Sequence, residues 1–255
     1  MNISVELKNF LEEKYLYYCR PEFIETDPIQ IPHLFTQEND IEISAFLTAI
    51  ISWGNRKTII KNAHKLMKLM DYSPFDFILN AGESEYKFLS DFYHRTFNGI
   101  DTVFFIKSLQ NIYLNYGGLK NIFYKGYFSG GIEKSIENFR GVFFSLNHEL
   151  RTEKHIPDIT KNASEKRLNM FLRWMARKDK QGIDFGIWDK ILAKELYIPL
   201  DVHTGNVARK LGLLSRKQND WIAVKELTGV LRQFDPDDPV KYDFALFGLG
   251  IFEKF

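Results

Sequence analysis

Apolar residues recur along this chain at the three-and-four spacing of a helix, and the two-residue alternation of a half-buried strand is nearly absent, so the expected fold is all-α. Leu7, Phe10, Leu11, Lys14, Tyr15 and Tyr18 share one face of a first helix. Ile59, Ile60, Ala63, Leu66, Met67 and Met70 form a second stripe, Ile132, Ile136, Phe139, Phe143 and Leu146 a third, and Leu168, Phe171, Leu172 and Met175 a fourth. Asp101 is placed to cap a run from Thr102 to Asn115, Gly117-Gly118 to stop it, and Pro239 suits the first turn of a last helix. About ten helices follow, with no repeat at a fixed period. Most of the 23 phenylalanines lie on such stripes, which makes them core residues rather than stacking platforms for bases.

A length of 255 residues allows one large domain or two modest ones. The single cysteine, Cys19, excludes an internal disulfide and any four-cysteine zinc or iron–sulfur site. The six histidines show no tight ligand spacing, so no metal or other cofactor is expected. The first 18 residues mix Glu6, Lys8, Glu12, Glu13 and Lys14 among apolar ones, unlike a signal peptide, and no stretch matches a membrane span. A cytoplasmic protein with no membrane partner is the expectation.

Net charge is only +1, so no global field draws a polyanion, but the charge is segregated. Residues 54–70, 161–178 and 202–217 carry +5, +5 and +4, which leaves the rest acid-rich. Lys57, Lys61, Lys65 and Lys68 fall opposite the Met/Ile/Leu stripe of their helix.

Two of these basic segments hold residues suited to chemistry. In the stretch from Pro157 to Lys166, Asn162 and Glu165 have the spacing of a capping box, which puts Lys166 in a first helical turn. There the positive end of the helix dipole and the neighbouring charges of Lys161 and Arg167 favour a neutral, nucleophilic amine. In Ile198-Pro199-Leu200-Asp201-Val202-His203-Thr204, Asp201 is placed to cap the run that follows, where backbone amides keep a carboxylate ionised.

Lys166-Arg167-Leu168-Asn169-Met170 followed by Pro199-Leu200-Asp201-Val202-His203 resembles the helix-hairpin-helix DNA glycosylase superfamily, and the Asp-Val-His stretch looks most like its 8-oxoguanine glycosylases. Trp53-Gly54-Asn55-Arg56 looks like the superfamily's duplex-wedging loop, and Tyr93-His94-Arg95 lies where members carry a Tyr-Arg segment. The resemblance implies a two-lobed helical bundle. Residues 36–175 would form a six-helix barrel ending in a hairpin-like motif, and 1–35 with 176–255 a second helical domain formed by both termini. It also implies excision of a damaged base, an oxidised purine, from double-stranded DNA. The Lys166 amine would attack the sugar and form a Schiff base that leads to strand cleavage, and the Asp201 carboxylate would stabilise the cationic sugar. Met170, Asp243, Phe247 and Trp53 would line the base pocket. Asn55, Arg56, Lys57, Lys61, Lys65, Asn162, Ser164, Arg167, His203 and Arg209 would contact the DNA. Neither an iron–sulfur cluster nor a second copy is implied.

Two features depart from the superfamily pattern. The hairpin glycines are replaced by Asn162, Ala163 and Ser164, which hinder close approach of a phosphate. The 35-residue separation of Lys166 from Asp201 is long, and Asp184 to Leu196, with Trp188, reads as an added short helix. The alternatives are a non-catalytic binder of damaged or bent DNA, and a helical protein that sets its basic face on an acidic partner.

Overall fold

The structure is a computed structural model and describes residues 5–255. Twelve α-helices among them are α1 (Val5–Tyr18), α2 (Glu22–Thr26), α3 (Glu38–Ile51), α4 (Arg56–Leu69), α5 (Pro74–Asn80), α6 (Glu83–Leu89), α7 (Gly99–Asn115), α8 (Leu119–Phe143), α9 (Lys166–Ala176), α10 (Val202–Lys210), α11 (Trp221–Phe234) and α12 (Tyr242–Ile251). Six short 3₁₀ segments join them, and no strand is present among the described residues, so the all-α expectation holds. The helices missing from the sequence estimate are short ones such as α2, α5 and α6, too brief to display a period.

The chain divides into two compact units: residues 26–157, and the chain up to Glu25 together with Asp158–Phe255. The boundary therefore falls after Pro157 rather than after residue 175, and α9 belongs with the chain ends. The reason is its buried face, where Phe171 meets Trp188 at 5.3 Å and Arg173 pairs with Asp243 of α12.

In the 26–157 unit the core is aromatic: Phe46, Phe105, Phe139 and Phe143 are wholly buried, with ring centroids 4.7–6.1 Å apart across α3, α7 and α8. The helix α8 breaks at Gly131, whose φ of 77° is open to glycine at little cost, so the stripe from Ile132 to Phe143 belongs to its second half. Asp101 does not cap α7. Asn98 is the cap, and Asp101 sits three residues in, accepting from the Asn98 amide at 3.0 Å in a reciprocal capping box.

In the other unit α1 packs on α12 so closely that a Cβ on Gly248 would lie 2.2 Å from the Tyr18 ring. The expected added helix at 184–196 does not form, apart from a 3₁₀ turn at Ala193–Glu195. The Asp179 carboxylate instead collects the amides of Gln181 and Asp184 at 2.6 and 2.7 Å, and Gly182 and Gly186 take left-handed φ values of 70° and 59°. Trp188 is fully buried in that irregular stretch.

Candidate active site

Asp158 starts a 3₁₀ turn at Ile159–Lys161 by accepting from the Thr160 amide at 2.9 Å and hydroxyl at 2.7 Å. Asn162 then turns left-handed, with φ 65°. Its Nδ2 donates to Asp220 at 3.0 Å, its Oδ1 accepts from the Ile222 amide at 3.2 Å, and its carbonyl accepts from the Trp221 amide at 3.2 Å. The expected Asn162–Glu165 capping box is therefore absent: α9 begins only at Lys166, after Glu165, and the Asn162 side chain is committed to pinning the turn to α11. Asp220 is itself held by Arg216 and caps α11 through the Ala223 amide, which keeps its carboxyl down at about 2. Asn162 thus has its side chain engaged within the protein, whereas Ser164 is half-buried and offers its carbonyl to Asn169 at 3.2 Å.

Glu165, left-handed and buried, precedes Lys166, which is the first residue of α9 and half-exposed. The first-turn position expected for Lys166 is thus occupied, although nothing from the capping box holds it. Burial pushes the Arg167 guanidinium down against the opposing charge of Glu165. The helical spacing sets Lys166, Asn169, Met170 and Arg173 along one side of α9, and all but Lys166 are buried, as is Arg177 just past the helix end.

Asp201 caps α10, as its place in the sequence implies: its Oδ1 accepts from the Thr204 amide at 2.9 Å. Its carbonyl accepts from the Gly205 amide at 2.9 Å and from Asn219 at 3.0 Å. Arg209 directs its donors inward, to the Arg216 carbonyl at 2.7 Å and to Asn219 at 2.6 Å, while His203 is exposed.

These elements meet electrostatically at Asp243, which lies in the first turn of α12. Burial pushes the Asp243 carboxyl up to about 7, the paired Arg173 guanidinium works against that rise, Asp201 and Asp184 add to it, and Lys166 reduces it. Lys166, Asp201 and Asp243 come from three helices far apart in the chain, and all three lie within one unit. Phe247, one turn after Asp243, is half-buried near Phe23 at 6.5 Å, and Met170 is 9% exposed. Sequence reasoning missed Arg173 and Asp184. The usable signal was the seven-residue step from Lys166 to Arg173, which repeats a helical face.

Trp53 and the basic helix lie in the 26–157 unit. Asn55 caps α4 by accepting from the Thr58 amide at 3.3 Å, Arg56 is half-buried, and Lys57, Lys61, Lys65 and Lys68 are exposed. The opposite face buries Ile59, Ala63, Leu66 and Met67. The Arg95 guanidinium lies 4.6 Å from the Trp53 ring centroid, and Lys65 stands 5.6 Å from that of Tyr93. Beneath them His94 Nε2 donates to the Trp53 carbonyl at 3.1 Å and Nδ1 accepts from Asn62 at 2.9 Å, and burial keeps this imidazole below its usual range, in its neutral form.

Among the described residues no group of three or more His, Cys, Asp or Glu side chains is arranged to hold a metal ion, and no helix is long and apolar enough to cross a membrane. The model of one family, described as "Protein of unknown function (DUF2400)", matches residues 27–252. No curated protein and no solved structure matches this chain.

Proposed function

The chain belongs to the DUF2400 family, and since that description names no activity we propose, from the residues themselves, that it is a DNA glycosylase with lyase activity. In this reading a damaged base, an oxidised purine, is flipped out of the duplex, and the protein acts as a monomer in the cytoplasm. The Lys166 amine attacks C1′ and loses a proton. The C1′–N bond breaks with its electron pair leaving on the base, which is protonated. Opening of the sugar gives an imine on Lys166, and loss of a C2′ proton then expels the 3′ phosphate. Asp201, at the cap of α10, stabilises positive charge at C1′.

One arrangement carries this reading: Lys166 opens α9, Asp201 caps α10 and Asp243 stands in the first turn of α12, all in one unit, and the amine and the carboxylate bear with opposite sign on that buried acid. The left-handed Asn162 adds support, because it gives the hairpin its reversal without a glycine. The exposed lysines of α4 supply a face for phosphates.

Borohydride trapping on a duplex containing an oxidised purine tests the reading. The wild-type chain should yield a covalent adduct, Lys166→Gln none, and Asp201→Asn one formed at least about a hundredfold more slowly. An adduct that persists in Lys166→Gln overturns the assignment of the nucleophile. Tight, salt-sensitive binding of the damaged duplex with no adduct would favour the binder instead.

A further inference from the structure

The side of α9 that carries Lys166 continues inward to Arg173, which is 4% exposed. Its guanidinium is shared between carboxylates from two distant stretches of chain. One is Asp243 of α12; the other is Asp184 of the irregular stretch before α10, 3.3 Å from Nε. The Phe244 ring lies under it, with the centroid 4.4 Å away. Asp184 is held in turn, because Arg177 Nη1 donates to it at 2.8 Å, and Arg177 is anchored by Asp238 at 3.0 Å and by the Tyr15 hydroxyl at 3.0 Å. A planar fork gripped at two edges and covered on one face has a single orientation, and a buried one has no water to which it can turn. Asp243 therefore takes its place from Arg173.

We propose that Arg173 is a positioning residue for the Lys166–Asp201 site: clamped by Asp184, it fixes the Asp243 carboxyl in place and sets the charge that this acid presents to the two groups. The assignment rests on the proposed function for what the site does, but the clamp itself is independent of DNA. The charged groups that face Asp243 are Arg173 and Lys166 from α9, Asp201 from the cap of α10, and Asp184. The two ends of the clamp act in opposite senses. The guanidinium favours the ionised carboxyl, whereas Asp184 draws on the same guanidinium and adds like charge.

Carbon-13 NMR titration of the full chain labelled at aspartate Cγ, without DNA and with Asp243→Asn to assign the resonance, reads this directly. Asp184→Asn should move the Asp243 midpoint down by roughly half a pH unit or more, and Arg173→Met should move it up by about one. Because Arg173→Met strips a buried cation and is the variant most apt to unfold, the near-isosteric Asp184→Asn is decisive. An Asp243 midpoint in Asp184→Asn that stays at, or rises above, the wild-type value overturns the proposal. In a second arm, the pH profile of borohydride trapping should shift in Asp184→Asn in the same direction as the midpoint. A midpoint that moves as expected in a chain that traps nothing sinks the lyase reading and leaves the clamp standing.

Discussion

Asp101 and Asp243 are both buried aspartates in the first turn of a helix, one in each unit, yet their environments drive them in opposite directions. Burial alone would raise Asp101. The hydrogen bonds from His155, the Asn98 amide and Thr152 outweigh it and hold the carboxyl far below its usual range. Arg151 adds two more contacts, at 2.9 and 3.0 Å. Asp243 has one guanidinium, shared with Asp184, and the carboxylate of Asp201 nearby, so burial wins. A carboxylate with a full set of donors is a structural part. One that is short of donors, so that burial raises its carboxyl towards neutrality, and that feels the charge of an amine is the kind of group found at sites of chemistry.

The largest expected effect follows from this difference. Asp101→Ala leaves the Arg151, Thr152 and His155 donors in the interior without their acceptor and should cost about 3–5 kcal/mol. Asp243→Asn removes an ill-compensated charge and should cost under about 1 kcal/mol at pH 8. Urea unfolding followed by the fluorescence of Trp53, the only tryptophan of residues 26–157, reads the first, and whole-chain circular dichroism the second. Equal losses in the two variants would dissolve the contrast.

The pH dependence should oppose the two residues as well. Asp101 has a lowered carboxyl, so its stabilisation is present above the unfolded value of about 3.9 and is lost as pH falls. The Asp243 carboxyl is raised to about 7, so its contribution is complete below about 3.9 and is lost as pH rises through 7. The stability of wild type relative to Asp243→Asn should therefore fall between pH 5 and pH 8, by about 2–3 kcal/mol for a shift of this size. A flat difference over that range would place Asp243 among the ordinary ion pairs.

Part of the contrast was legible in the sequence. An acid just before an amphipathic run reads as a cap, and Asp201 is one; the lysine face of α4 follows from spacing, and Lys166 does head α9, although the capping box that placed it there is absent. What spacing does not reveal is which charges meet. The partners of Arg173 lie 11 and 70 residues away, across chain without a period, and those of Asn162 lie 58 and 60 residues away. A four-residue capping pattern therefore pointed to a cap where tertiary contacts impose a left-handed turn. Asp101 was misread for a related reason: a first-turn acid looks the same whether or not it is the cap, and only Asn98 beside it decides.

Arg151→Met sharpens the comparison at a smaller scale. Arg151 is the most exposed donor to Asp101, and the remaining bonds from Asn98, Thr152 and His155 still satisfy the carboxylate. A loss of about 1–2 kcal/mol is expected in urea unfolding, well short of that for Asp101→Ala. A loss as large as that of Asp101→Ala would mean that the guanidinium, rather than the whole donor set, holds Asp101 ionised.

The smallest stability effect is expected where neither carboxylate is touched. Lys57→Glu with Lys61→Glu alters two exposed side chains on the solvent side of α4 and should change stability by no more than about 0.5 kcal/mol. If this face tracks phosphates, the same double variant weakens duplex binding by roughly tenfold or more at moderate salt and lowers the slope of log affinity against log salt by about 2. The adduct rate at saturating DNA should stay unchanged, because the reacting groups belong to the other unit. Unchanged affinity would remove α4 from the footprint. A lower adduct rate at saturation would tie this helix to the chemistry of Lys166 and break the separation between a unit that supplies binding charge and a unit that supplies the reactive pair.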